Sequence, residues 1–292
     1  MSITLPLPDP FSFELTLQFL QRSPKELLHR TRDDRVIKLL PVGKELVLFS
    51  VKEGNNKLIV EFLNGDPSDP AKAEIKDYVR EWFDLETDLN PFYAMGRKDE
   101  LLKSLVKKYS GFRIIGQPDL FESLVWAVLG QQINLNFAYT LKQRFVELFG
   151  QNIEIDGHRY FAFPTAEDVT RLADDDLLPL QFSRQKSKYV RLIAEAFVGG
   201  EVSKVKLSGM TLQQAKEHLI KIKGVGNWTA NYALMKTFRY PDAFPLEDVA
   251  LHKAIQIGKG LKARPSLEQV KRIFKKYKGW EAYATLYLWR SL

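Results

Sequence analysis

From Asp99 onward the chain keeps to one rhythm. DELLKSLVKKY, LFESLVWAVLGQQ, NFAYTLKQRFVELFG, TAEDVTRLAD, SRQKSKYVRLIAEAF, TLQQAKEHLIKI, NWTANYALMKTF, VALHKAIQIG, LEQVKRIFKKY and WEAYATLYLW each carry apolar residues three and four positions apart. That spacing puts the apolar side chains on one face of a helix, and each face must be buried against another. The connections are short and marked by Gly, Pro or Asp, so consecutive helices fold back on one another. No apolar run approaches the roughly 20 residues of a membrane span. Residues 91–292 are therefore expected to form an all-helical domain.

The first ninety residues read differently. PFSFELTLQFLQ, with Phe11, Leu15, Leu17 and Phe19, suits a short helix or the entry to a strand. DRVIKLLPV, KELVLFSV and KLIVEFL are short β-branched and aromatic runs, the last two joined by the turn sequence KEGNN. NGDPSDPAKAE is a loop, and AKAEIKDYVREWFDL returns to helix. Residues 1–90 are expected to form a small antiparallel sheet domain with flanking helices. The fold class is α+β.

Composition removes several chemistries. The 292 residues include no cysteine, which excludes disulfides, thiol catalysis, Cys-ligated zinc and iron–sulfur clusters. His29, His158, His218 and His252 are scattered, without the spacing of a catalytic zinc site. MSITLPLPDP has neither the basic nor the apolar region of a signal peptide, so a cytoplasmic protein is expected. The net charge of +7 is concentrated after Leu251, where ten Lys and Arg face only Glu268 and Glu281. Such a segment is either a solvated helix face or the footprint of a polyanion, most naturally nucleic acid.

One stretch interrupts the helical rhythm. In IKIKGVGNWTANY (220–232), Gly224 and Gly226 stand one residue apart between two helices. Glycines there allow backbone angles and close approaches that a Cβ blocks, giving a tight hairpin. The second helix then presents N–H groups at its start, an anion site suited to a DNA phosphate. A dinucleotide-binding loop is excluded because a helix, not a strand, precedes the glycines. A plain interhelical turn with a capping glycine would leave the same sequence trace. Trp228, Tyr232 and Met235 share one face of the second helix, a stripe that usually belongs to a core. Twenty residues beyond Trp228, Asp248 opens the helix VALHKAI. There it is an N-cap, and also a fixed negative charge.

The run IKGVGNWTANYALM followed by an Asp at a helix start resembles the helix-hairpin-helix DNA glycosylases, whose motif ends in a Gly/Pro-rich loop and a catalytic Asp. SLVWAVLGQQINLNFAYTL is similar to the segment with which that family enters DNA beside the target base. FPTAEDV followed by SRQKSKYV is a further likeness. PFSFELTLQFL and its sheet resemble the additional domain of the bacterial DNA-3-methyladenine glycosylase II branch. The resemblance covers nearly the whole chain, with the hairpin at 212–238 and the catalytic loop and helix at 239–258. The chain departs from the usual pattern at Lys223, where a proline is customary. It also has Trp228 where the bifunctional members carry a Schiff-base lysine.

The resemblance implies a monofunctional glycosylase, without strand cleavage, that hydrolyses the glycosidic bond of alkylated bases flipped out of duplex DNA. Bases of the 3-methyladenine and 7-methylguanine type are cationic and leave readily, so no strong general acid is required. Asp248 would stabilise the oxocarbenium-like sugar and orient or deprotonate water, while Glu247 is read as surface. Trp228, Tyr232, Trp289 and Phe19 would line the base pocket, with attraction to a cationic base of about 0.5–2 kcal/mol per contact. For Trp289, near the chain end, simple packing is the alternative; Trp82, Trp126 and Trp280 are read as core. Gly224, Val225, Gly226, Thr229, Lys223 and Lys253 would bind the DNA backbone. Gln132 or Ile133 would be the wedge that fills the space of the extruded base. The resemblance implies no required cofactor, no assigned metal and no zinc or iron–sulfur cluster, although a monovalent cation at the hairpin carbonyls is compatible with it. The expected partner is damaged double-stranded DNA, bound by a monomer with no membrane association. An oxidised-guanine glycosylase and a non-catalytic DNA-docking module are the alternatives. The first lacks its lysine here, and the second needs neither Asp248 nor the aromatic stripe.

Overall fold

The computed structural model describes residues 1–292 apart from the side chain of Asp174. Five strands, β1 Ser2–Pro6, β2 Arg30–Arg32, β3 Arg35–Val42, β4 Glu45–Gly54 and β5 Lys57–Phe62, form one antiparallel sheet in the order β1-β5-β4-β3-β2. The β4–β5 turn falls in KEGNN, where Asn55 and Asn56 take φ of 52° and 57°. Asparagine tolerates this left-handed conformation, and two such residues give the turn that matches strand twist. The register Val36↔Val51↔Val60 places three fully buried valines side by side. PFSFELTLQFLQ resolves as a helix, Phe13–Leu20, started by the Ser12 side chain accepting from Leu15 N. Two edge strands, β1 and β2, had no marked signal in the sequence, because each is short and paired on one side only.

The expectation of an all-helical segment after residue 90 needs one correction. β6 Asn152–Ile155 and β7 His158–Phe161 form a two-stranded ribbon closed by Asp156 and Gly157, both at positive φ. NIEIDGHRYF alternates apolar and polar residues about a D-G turn, so its signal was present but short. Ile153, Ile155 and Tyr160 of the ribbon pack against Ile37, Leu39 and Leu48 on the outer face of the sheet. β3 is thereby covered on both faces, which is why VIKLL is nearly unbroken apolar sequence.

The cores do not follow a division at residue 90. One cluster joins the inner face of the sheet to helix Asp69–Trp82, to residues 89–115 and to the last helices, including Leu251, Tyr283 and Tyr287. A second is built from residues between Leu120 and Leu234, with Leu28 added. Polar ties cross the first core. Buried Arg113 donates to the carbonyls of Asp84 and Thr87, each at 2.7 Å, and the Tyr283 hydroxyl bonds the Asp84 carboxylate. The chain thus closes on itself, with its last helix, Glu281–Trp289, inside the core that its first strands began. Among the described residues, no helix is long and apolar enough to cross a membrane.

Candidate active site

Helix Leu212–Ile220 starts at a capping box in which Thr211 and Gln214 satisfy each other's backbone N–H. It ends before the glycines, and helix Asn227–Thr237 begins three residues after Gly224. Gly224 has φ of +98°, and a Cβ there would meet Cγ of Tyr189 at 2.3 Å. Both backbone angle and space demand glycine. Gly226 is different: its φ is −88° and a Cβ would find nothing within 4 Å. Nothing inside the protein therefore requires glycine at 226, which leaves an open approach to the start of the second helix. Most other helix starts carry a Ser, Thr, Asp or Asn whose side chain accepts an N–H. This one has no side-chain cap, so no side chain takes up its first-turn N–H groups.

Two residues assigned to the DNA contact face inward instead. Thr229 is only 2% exposed, and its hydroxyl accepts from Gln131 Nε2 at 3.0 Å. Its hydroxyl oxygen is thus engaged inside the protein rather than exposed at the hairpin surface. Val225 is buried and its N–H bonds the Ile222 carbonyl at 3.0 Å. Lys223 and Lys253 are exposed, as a backbone contact requires. Val249, beside Asp248, and Ile220, before the hairpin, are also exposed.

The segment GQQIN is clamped to the hairpin. Gln131 Nε2 donates to the Gly224 carbonyl at 3.0 Å as well as to Thr229. Below it, buried Lys186 of helix Arg184–Val198 donates to the carbonyls of Val128, Leu129 and Gln131 at 2.9, 3.0 and 2.7 Å. These carbonyls lie at the end of helix Leu120–Gly130, a favoured place for a cation; Val128 O also accepts from Gln131 N at 3.2 Å. Burial lowers Lys186 to about 8. The clamp leaves Gln132 exposed at a positive φ of 58°. Ile133, its neighbour, turns back against Trp126, Ala138 and Tyr139. A groove of about 560 Å³ runs between this segment and the hairpin, lined by Gln132, Lys186, Tyr189, Lys223, Gly224 and Gly226.

Asp248 is the N-cap of helix Val249–Gly258 and is held by three donors. Oδ1 accepts from Leu251 N at 2.7 Å and from Trp289 Nε1 at 2.8 Å; Oδ2 accepts from Trp228 Nε1 at 3.1 Å. The carboxylate therefore joins three elements far apart in sequence. Trp228 stacks on Tyr232 at 5.3 Å and 24°, and Tyr232 lies 6.4 Å from Trp289. Behind them Trp126 donates its indole N–H to the Tyr232 hydroxyl at 3.0 Å. All three front aromatics are half-buried, with Met235 wholly in the core. Phe19, from the first domain, lines a cavity with Tyr232 whose walls do not include Asp248, Trp228 or Trp289.

Several positioning groups had no clear trace in the sequence. Buried Asn231 accepts from Phe244 N at 3.2 Å and donates to the Asn227 carbonyl at 3.0 Å, tying the 239–248 loop to the hairpin helix. The His252 ring sits between the carbonyls of Leu246 and Pro265, at 2.7 and 3.1 Å. Exposed Glu247 accepts from Asn227 Nδ2 at 2.6 Å and does not share the place of Asp248. The one available signal was composition: a buried Asn in mid-helix must satisfy its amide locally.

Residues 125–279 match the HhH-GPD superfamily base excision DNA repair protein family, and residues 10–124 match the N-terminal domain of 8-oxoguanine DNA glycosylase. The chain is 44% identical to a DNA-3-methyladenine glycosylase of Bacillus subtilis, over 99% of this chain and 97% of that one. Among solved structures, a 3-methyladenine DNA-glycosylase from Archaeoglobus fulgidus superposes with a TM-score of 0.85 at 22% identity, covering 98% and 97% of the two chains. A 3-methyladenine DNA glycosylase of Schizosaccharomyces pombe in complex with abasic DNA gives 0.58 at 25% identity, covering 68% and 94%.

Proposed function

The chain belongs to the HhH-GPD superfamily of base excision DNA repair proteins, and on that premise we propose that it is a monofunctional DNA glycosylase releasing alkylated bases from duplex DNA. The observation that carries the reading is the Asp248 carboxylate, held by two indole N–H groups and a backbone N–H beside a half-buried aromatic wall. A docking module has no use for such a constellation. The near full-length likeness to a DNA-3-methyladenine glycosylase supports the alkylated-base class.

In this mechanism the hairpin N–H groups, Lys223 and Lys253 bind phosphates, and affinity falls with salt as counterions return. The target base leaves the stack at a cost of about a few kcal/mol, less for a damaged pair. Gln132 is the wedge, since it is exposed on a clamped loop while Ile133 is packed inward. The base enters between the aromatic faces. The C1′–N bond then breaks with its electron pair going to the base, and positive charge develops on the sugar. Asp248 stabilises that charge at close range. Water adds to C1′ and its proton passes to the Asp248 carboxylate. Trp228 occupies the position of the Schiff-base lysine, so no amine is placed to attack C1′ and no strand cleavage follows. No cofactor enters these steps. The Ile222 and Gly224 carbonyls each accept one N–H and keep a second lone pair, which is compatible with a monovalent cation at the hairpin.

Incubation with methylated duplex DNA tests the reading. Free 3-methyladenine and 7-methylguanine are expected by chromatography, with strand breaks appearing only after alkali. Breaks without alkali would reveal a lyase, and tight binding without release would leave only a docking protein. The first-domain likeness to 8-oxoguanine DNA glycosylase raises the oxidised-guanine alternative, and release of 8-oxoguanine from a matched duplex would establish it.

The clamp makes a separate prediction. Lys186→Met removes the donor to three carbonyls; Val128 O keeps the Gln131 N–H, while those of Leu129 and Gln131 lose this partner at about 1–3 kcal/mol each before relaxation. Base release under single turnover is expected to fall about tenfold for a misplaced wedge loop, in line with the sensitivity of rate to small displacements. Lys186→Arg should recover part of it. A melting temperature lowered with no change in release would assign Lys186 to stability alone.

A further inference from the structure

One charged side chain that shares a cavity with Phe19 and Tyr232 has no part in the steps above. Arg22 follows helix Phe13–Leu20 and is exposed. Its guanidinium carbon lies 3.9 Å from the centre of the Phe19 ring and 5.6 Å from that of Tyr139. Nε donates to the Tyr139 hydroxyl at 2.5 Å. Tyr139 packs at 4.9 Å on Trp126, the residue that holds the Tyr232 hydroxyl. The guanidinium is thus tethered at one nitrogen to the layer behind the pocket wall. Among the described residues no protein acceptor takes its two terminal nitrogens, and Arg22, Phe19, Tyr139 and Tyr232 line the same cavity.

We infer that Arg22 is a specificity-determining residue: its terminal N–H groups read the edge of the extruded base and favour purines that present a 6-keto oxygen, 7-methylguanine and hypoxanthine, over the 6-amino purine 3-methyladenine. This rests on the glycosylase reading. Stacking on aromatic faces accepts every base and cannot choose between edges. A guanidinium has donors only. A keto oxygen facing it accepts a charge-assisted bond, whereas an amino group opposes N–H to N–H. Sites that hydrogen-bond one partner discriminate sharply because the wrong partner leaves polar groups unpaired.

The surroundings reinforce the choice. Lys236, buried with Nζ 5.5 Å from the centre of the Phe19 ring, is also a donor and is bound to the Ile115 carbonyl. The acceptors deeper in the cavity are already engaged: Glu26 and Glu122 lie 3.0 and 3.7 Å from Lys142. Both carboxylates that line the cavity are thus paired with a cation before any 6-amino edge arrives. Charge alone does not separate the lesions, since 3-methyladenine and 7-methylguanine are both cationic; the edge does.

Globally methylated duplex DNA releases both bases in one tube, so their ratio is independent of protein amount. With the parent, Arg22→Ala and Arg22→Lys in excess over DNA, single-turnover rates are measured for the two methylated bases and for hypoxanthine in a defined duplex. Arg22→Ala is expected to slow 7-methylguanine and hypoxanthine release at least tenfold while 3-methyladenine release holds or rises, and Arg22→Lys to recover part of the keto preference. An equal fall on all three bases would make Arg22 a backbone grip or a packing residue and overturn the inference. So would no change on any. A parent that releases no base at all would overturn the glycosylase reading itself, and this inference with it.

Discussion

Asp248→Asn is expected to reduce base release by at least about a hundred- to a thousandfold, the usual scale for losing one preorganised electrostatic group, while DNA affinity changes only a few-fold. Asparagine is as good an N-cap as aspartate, so helix Val249–Gly258 retains its start. The oxygen can still accept from Leu251 N and Trp289 Nε1. The new amide nitrogen faces Trp228 Nε1, a donor against a donor, where the carboxylate had accepted at 3.1 Å. One opposed pair costs about 1–3 kcal/mol, which a thermal melt will register without loss of the fold. What disappears entirely is the negative charge beside the sugar. Single-turnover release and fluorescence binding, measured on the same DNA, separate the two effects. If the variant releases base at the parental rate, Asp248 is a cap and nothing more.

Gly224→Ala should have the second-largest effect, and its pairing with Gly226→Ala is what makes it informative. At 224 an added Cβ meets three atoms of the Tyr189 ring between 2.3 and 2.7 Å, and the residue must keep φ of +98°. The ring cannot yield at its root, so the hairpin must move. A cost of about 1–3 kcal/mol from backbone strain alone is expected, with DNA affinity falling at least tenfold and a lower melting temperature. At 226 the same methyl meets nothing and φ is ordinary. Gly226→Ala should melt like the parent, so any loss of DNA affinity there measures the approach of a phosphate. Equal DNA affinity in both variants and the parent would remove the hairpin from the DNA contact.

Much of the architecture was legible because it is written locally. Helical spacing after residue 99, the capping residues and the KEGNN turn depend on neighbours within a few positions, and the helices and strands follow them closely. The ribbon at 152–161 escaped because four-residue strands carry little periodicity against a helical background. The core that joins the sheet to Tyr283 and Tyr287 escaped for another reason. An apolar face says that it must be buried, not against what.

The same line divides the site. The hairpin glycines, the helix start at Asp248 and the Trp at 228 are local facts, and the sequence by itself determined them. It could not say that Gln132 is exposed while Ile133 packs toward Trp126 and Tyr139, because that depends on which way a clamped loop turns them. It also placed the Thr229 hydroxyl on the outside, where the structure commits it to Gln131, 98 residues away. The two indoles on Asp248 come from 20 and 41 residues away, and Arg22 meets Tyr139 across 117. Hydrogen bonds across such separations leave no spacing in the chain. Their partners are chosen when the two cores close, so only the tertiary structure decided which side chains meet at the carboxylate.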